Sequence, residues 1–221
     1  MCAIIGAYLE SPSRQQIETL KRLFYESRIR GRHATGYSLI QGNKVITQKA
    51  PISAEWFIRM HFAEVQPGDH ILQLAGHCRY STSDLEYNQP IQVFDDLALA
   101  HNGVVDQRSP VHWKEYGYEL ATLNDSELLY QARHAGRQPL EEFPEASMAV
   151  CELHAKEGLA WYRNGKRPLY HVKVSNGCFI CSTADIARRA GLDGAKRCVP
   201  GVVYRPDSQA KIVEREELIP C

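Results

Sequence analysis

Short apolar runs separated by turn residues fill most of this chain, and only a few stretches have helical spacing. Ala3-Ile4-Ile5-Gly6-Ala7-Tyr8 is apolar almost throughout, which suits a buried strand. After Ser11-Pro12, Ser13 is placed to cap a helix running to about residue 28, with Ile17, Leu20, Phe24 and Tyr25 as its apolar stripe. Gly31 is expected to end that helix. Residues 37–40 and 44–47 flank Gly42-Asn43 and predict a hairpin. Ser53 opens a second helix carrying Trp56, Phe57, Met60 and His61. Residues 70–76 and 97–100 predict buried strands. The first delivers the polar run His77-Cys78-Arg79-Tyr80-Ser81-Thr82, and the second ends in His101-Asn102-Gly103. Asn124 or Asp125 caps a helix to about residue 132. The last third is strand-rich, with runs at 148–154, 159–163, 169–174 and 178–181 punctuated by Gly158, Gly165 and Asn176-Gly177. A short helix at 185–190 and late strands at 202–205 and 211–215 complete the pattern. Hairpin-joined strands with a few helices predict an α/β domain with largely antiparallel sheets.

Composition narrows the function classes. A chain of 221 residues buries a full core as one domain, taken here as residues 2–221, and no repeat, linker or low-complexity tract divides it. Its 26 basic and 26 acidic side chains cancel, which argues against nucleic acid or an anionic membrane as partner. No apolar run approaches the roughly 20 residues that span a bilayer. The N-terminus lacks the pattern of an export signal. Seven cysteines without framework spacing then read as reduced thiols, and the cytoplasm is the expected compartment.

Four places could carry chemistry. Once the initiator Met is removed, Cys2 becomes the N-terminal residue and holds a thiol and a free α-amine together. With a pKa of about 8, that amine can take a proton near neutrality. The plain alternative is a cysteine in a buried first strand. Arg79, at a strand end, can grip a carboxylate through two parallel hydrogen bonds, though most arginines are surface residues. The Asn102 amide and the Gly103 N–H make a pair of neutral donors suited to an oxyanion, and equally an ordinary turn. Asp125 can bind an ammonium group or cap its helix. Cys178-Phe179-Ile180-Cys181 has the CxxC spacing of a zinc ligand pair. However, positions 178 and 181 fall on opposite faces of a strand, and no second CxxC exists, so buried free thiols are expected. Cys78, adjacent to Arg79, is expected close to Cys2 and sensitive to oxidation.

Taken together, these segments resemble one family. Met1-Cys2-Ala3-Ile4-Ile5-Gly6 resembles the MCGIIG opening of the class II glutamine amidotransferases, which are N-terminal nucleophile (Ntn) hydrolases. Arg30-Gly31 with Gly36 resembles the family's RG…G loop, and residues 76–82 resemble GHTRYAT. Asn88-Gln89-Pro90 is similar to NAHP, residues 99–105 to the HNG segment, and Asp125-Ser126-Glu127 to SDTE. Cys181-Ser182-Thr183-Ala184 is similar to a later ASD-type strand end. The main matches run in order from residue 2 to residue 127. The resemblance implies a four-layer αββα sandwich and no cofactor or metal. It implies Cys2 as nucleophile, Arg79 on the α-carboxylate of glutamine, Asp125 on its α-amine, Asn102 and Gly103 as oxyanion hole, and Thr82 lining the pocket. Ala3 in place of the usual Gly, and Ser83 after the Thr, are departures expected to narrow the pocket or slow turnover.

The chain ends about where the glutaminase domain ends in that family. The resemblance thus implies a glutaminase passing ammonia to a separate synthase or acceptor. The alternatives are a stand-alone amidase acting on another γ-glutamyl amide and a non-catalytic binding protein on the same fold.

Overall fold

A computed structural model describes residues 1–81, 88–207 and 210–216. Strand β1 (Ala3–Glu10) leads into helix α1 (Arg14–Ser27) through Ser13, whose hydroxyl accepts the Gln16 N–H at 3.2 Å. The Gln16 side chain accepts the Ser13 N–H at 2.9 Å, closing a capping box. Ile17, Leu20, Leu23 and Phe24 form the buried stripe of α1, whereas Tyr25 is exposed. Gly31 does not terminate this helix, which ends at Arg28. A Cβ on residue 31 would overlap the Cys78 carbonyl oxygen, so glycine is needed there for close approach.

β2 (Ala34–Gln41) and β3 (Lys44–Ala50) form the expected hairpin, with Gly42 at φ +61°. α2 (Ala54–His61) follows Ser53, buries Phe57 and leaves Trp56 and Met60 exposed. β4 (Ile71–Arg79) and β5 (Leu97–Val104) both extend past their predicted ends, so His77-Cys78-Arg79 and His101-Asn102-Gly103 lie inside the strands. A 3₁₀ helix (Pro110–Tyr116) precedes α3 (Ser126–His134) and α4 (Pro139–Glu142). The strands β6 (Ser147–His154), β7 (Gly158–Arg163), β8 (Tyr170–Val174) and β9 (Gly177–Cys181) follow as read. α5 (Ala184–Arg189), β10 (Lys196–Arg197), β11 (Val202–Pro206) and β12 (Ile212–Glu216) complete the described elements. The 3₁₀ helix, α4 and β10 have no counterpart in the sequence reading. They are too short for a hydrophobic period to register.

Two antiparallel sheets result. One has the order β10-β8-β9-β1-β4-β2-β3 and the other β12-β11-β7-β6-β5. Side-chain alternation shows how they stack. Ala3, Ile5, Ala7 and Leu9 of β1 pack with Leu20, Phe24 and Phe57 of α1 and α2. Ile4 and Tyr8 face the other way and meet Ala98 of β5, Cys151 of β6 and Trp161 of β7. On the far side of the second sheet, Leu99, Met148, Val150 and Tyr162 pack with Leu128 and Leu129 of α3. Three apolar layers between four layers of structure make the expected αββα sandwich. Both faces of each central strand are covered, which is why β1 reads as a continuous apolar run. Cys178 lies between the sheets and Cys181 on the helix side, as alternation requires. Among the described residues, no helix is long and apolar enough to cross a membrane.

One ion pair is buried where α3 meets the second sheet. Arg133 Nε lies 2.9 Å from Glu152 Oε1, with the two side chains 7% and 2% exposed. Glu152 also accepts the Tyr162 hydroxyl at 3.0 Å. Removing one partner strands the other charge in a dry site. Arg133→Met is therefore expected to cost about 3–5 kcal/mol. In thermal denaturation this is a Tm lower by roughly 6–20 °C for a domain of this size. A Tm within a degree or two of the parent would mean that Glu152 is not held as a buried charge.

Candidate active site

β1 is the fourth of seven strands in its sheet, so the residue before it sits at the end of the central strand. That residue is Cys2. It is partly exposed, and its thiol points to the Tyr80 carbonyl at 3.8 Å. Its own carbonyl accepts a hydrogen bond from Arg30 Nε at 2.9 Å. Arg30 therefore fixes the backbone of the candidate nucleophile. The Arg30-Gly31 segment was visible in the sequence, but nothing local assigned it this contact.

The register of β1 with β4 pairs Ala3 with Cys78, which brings Arg79 beside the start of β1. Arg79 is 8% exposed, and its Nη1 donates to Asn88 Oδ1 at 3.0 Å. Asn88 thus sets the direction of the guanidinium. Gln89, next along, ties the site's other elements together. Its Oε1 accepts the His101 N–H at 2.6 Å and its Nε2 donates to Ser126 Oγ at 3.0 Å. The Asn88-Gln89 pair therefore joins β4, β5 and the start of α3. Its side chains act across chain separations that local pattern does not encode.

On β5, alternation turns Asn102 toward the space between the sheets and His101 toward the helices. Asn102 is 3% exposed, and its Nδ2 has no hydrogen-bond partner among the described residues. His101 bonds to Ser126 Oγ at 2.8 Å through Nδ1 and to the Ser147 carbonyl at 3.1 Å through Nε2. Burial, first of all, pushes its pKa down, and Asp125 opposes that shift. At Gly103 a Cβ would overlap the Ser147 carbonyl oxygen, so β6 can lie against β5 only if residue 103 is glycine.

Asp125 stands at the start of α3, yet its side chain makes no cap bond to the helix. Asn124 has that role, accepting the Ser126 N–H at 3.1 Å. The Asp125 carboxylate turns instead to the end of β5, accepting the Val105 N–H at 2.6 Å and the Asp106 N–H at 3.4 Å.

Cys2, Arg79, Gly103 and Asp125 line one cleft of about 500 Å³, whose walls also include Tyr80, Gln89, Asp106 and Trp113. Asn102 is not on its surface but lies behind it, facing the gap between the sheets. Thr82 and Ser83 lie outside the described residues. A second cavity of about 660 Å³ adjoins the cleft and shares Pro110, Trp113 and Leu123 with it.

Two expectations need correction. Cys78 is near Cys2 along the register, but its side chain points to the helix layer, is fully buried and contacts the Phe24 carbonyl at 3.7 Å. Burial pushes its thiol pKa up, so it is a poor thiolate and not an exposed oxidation site. The Ala3 methyl, expected to narrow the pocket, packs in the helix-side core and does not line the cleft.

Known structures show the same architecture. A glutamine phosphoribosylpyrophosphate amidotransferase from B. subtilis superposes with a TM-score of 0.74 and 19% identity over 97% of this chain. The allosteric regulatory enzyme of purine biosynthesis does so with 0.72 and 18% over 97%. This chain spans about half of each, 49% of their lengths. A glutamine aminotransferase class-II domain protein from Silicibacter pomeroyi matches with 0.63 and 12% over 96% of this chain and 98% of its own. No protein-family model and no curated sequence matches the chain. Its two antiparallel sheets between helical layers are the fold that these amidotransferase structures share.

Proposed function

We propose that this chain is a glutamine amidohydrolase domain that releases ammonia through a Cys2 thioester and supplies it to a separate synthase or acceptor. The observation that carries the reading is the convergence of Cys2, Arg79, Gly103 and Asp125 on one cleft from four distant segments. In this reading Met1 is removed and the free α-amine of Cys2 takes the thiol proton. The thiolate attacks the side-chain carbonyl carbon of glutamine. Arg79 holds the α-carboxylate, and Asp125 holds the α-ammonium. Asn102 and the Gly103 N–H stabilise the oxyanion. The protonated amine then gives its proton to the leaving nitrogen, and ammonia departs. Water attacks the remaining γ-glutamyl thioester, gives a proton to the same amine, and glutamate and the Cys2 thiol are restored.

Ammonia release from glutamine, measured with Arg79→Ala, tests the assignment. Losing a charge-assisted carboxylate contact made in ground and transition states alike is expected to raise KM by about tenfold to a hundredfold with a small change in kcat. An unchanged KM would sink the carboxylate role. The buried Asn88 contact makes Arg79→Lys a useful companion, because lysine lacks the planar fork and should not restore binding.

A second reading, hydrolysis of a larger γ-glutamyl amide, is favoured by the cavity that shares Pro110, Trp113 and Leu123 with the cleft. Trp113 is 5% exposed, and its indole N–H has no partner among the described residues. In this reading, γ-glutamyl conjugates with bulky substituents are turned over faster than glutamine without any partner protein. If glutamine remains the better substrate and a partner raises its rate, the ammonia-supplying reading stands.

A further inference from the structure

His77 is a buried polar residue of β4 that the proposed chemistry leaves unused. It is fully buried, and neither ring nitrogen makes a well-formed hydrogen bond among the described residues, the nearest backbone partner being that of His101. Buried polar side chains nearly always find partners, so an imidazole kept where a leucine would pack calls for an explanation. Alternation on β4 puts Ala75, His77 and Arg79 on the face toward the second sheet. In the register His77 stands opposite Ile4, one inward-facing position deeper than Cys2. Across the gap its ring lies beside the backbone of His101, the residue before Asn102. Asn102 also faces this gap, and its Nδ2 too is buried without a partner among the described residues. Burial, aided by the charge of Arg79, lowers the pKa of His77 to about 3. The ring is therefore neutral and has one bare nitrogen able to accept a hydrogen bond.

An amide nitrogen carries two hydrogens, and an oxyanion donor uses one. If the second is not held, the amide can rotate and present its oxygen to the developing negative charge. We propose that His77 is a positioning residue for Asn102: its bare ring nitrogen takes one Nδ2 hydrogen, directly or through one water, and so keeps the other aimed at the oxyanion beside Cys2. This rests on the oxyanion role given to Asn102 above. His77 touches neither substrate nor nucleophile, and its low basicity excludes it as the general base at neutral pH.

The test is a double-mutant cycle on ammonia release from glutamine. It uses His77→Leu, His77→Gln, Asn102→Ala and the two His77 changes combined with Asn102→Ala. His77→Leu keeps the volume and removes the acceptor, whereas His77→Gln keeps an acceptor oxygen. The expected result is a kcat about tenfold or more below the parent in H77L, with KM within about twofold, and recovery of most of that loss in H77Q. In the N102A background neither change should lower kcat further, because there is no amide left to position. The proposal is overturned if H77L retains the parent kcat, if H77Q is folded yet as slow as H77L, or if the His77 effect persists undiminished beside N102A. If H77L does not fold, H77Q alone decides, since a folded H77Q with a tenfold loss removes the acceptor argument. A parent protein that releases no ammonia from glutamine would instead count against the Cys2 reading itself, and the His77 assignment would fall with it.

Discussion

Replacing Cys2 with alanine is expected to abolish ammonia release from glutamine, lowering the rate at least about a thousandfold. A nucleophile and its base act as a unit, and losing one member removes most of the chemical acceleration. The substitution is clean because alanine is also a small second residue. Removal of the initiator Met then proceeds as in the parent, and the α-amine survives. What differs is the sulfur. The Cys2 carbonyl, which holds Arg30 Nε at 2.9 Å, is also retained, so the start of β1 keeps its anchor. C2A should therefore fold and bind glutamine while forming no thioester. Mass spectrometry of the parent provides the companion measurement. The active chain must begin at Cys2, because a retained Met1 turns the amine into an amide and blocks both proton transfers. Full activity in C2A, or an active chain that still carries Met1, would end the assignment.

How much of this was legible depends on how local each feature is. The β1 run, the Ser13 cap and the Gly42 hairpin rest on neighbouring residues, and each is found where the pattern placed it. The ends of β4 and β5 were misplaced for a physical reason. His77, Arg79 and Asn102 are polar but face a gap between two sheets, so they break the apolar run without ending the strand. The period-two rule that separates Cys178 from Cys181 also separates Cys78 from Arg79. It accounts for Cys78 lying in the helix-side core, away from the cleft. Arg30, Asn88, Gln89 and Trp113 could not be assigned roles in this way. Their contacts join residues far apart in the chain, as when Gln89 links His101 to Ser126, and no spacing in the sequence encodes such a link.

Replacing Asn102 with alanine should lower kcat by on the order of a hundredfold or more, the usual effect of deleting one oxyanion donor, with KM nearly unchanged. The structure makes this substitution unusually informative because of what Asn102 lacks. Its Nδ2 is buried with no hydrogen-bond partner among the described residues, so in the resting protein the N–H aimed at the oxyanion position carries a desolvation penalty that no protein acceptor offsets. Removing such a group forfeits little stability, and the small void left by the amide is offset by relief of that penalty. An ordinary core asparagine with satisfied bonds would behave in the opposite way, losing stability and leaving catalysis alone. Thermal denaturation beside steady-state kinetics separates the two cases. A large fall in kcat at a nearly constant Tm means the amide is held in reserve for a charge that exists only during the reaction. A fall in Tm with kcat intact would make Asn102 a structural residue and leave Gly103 as the sole oxyanion donor among those assigned.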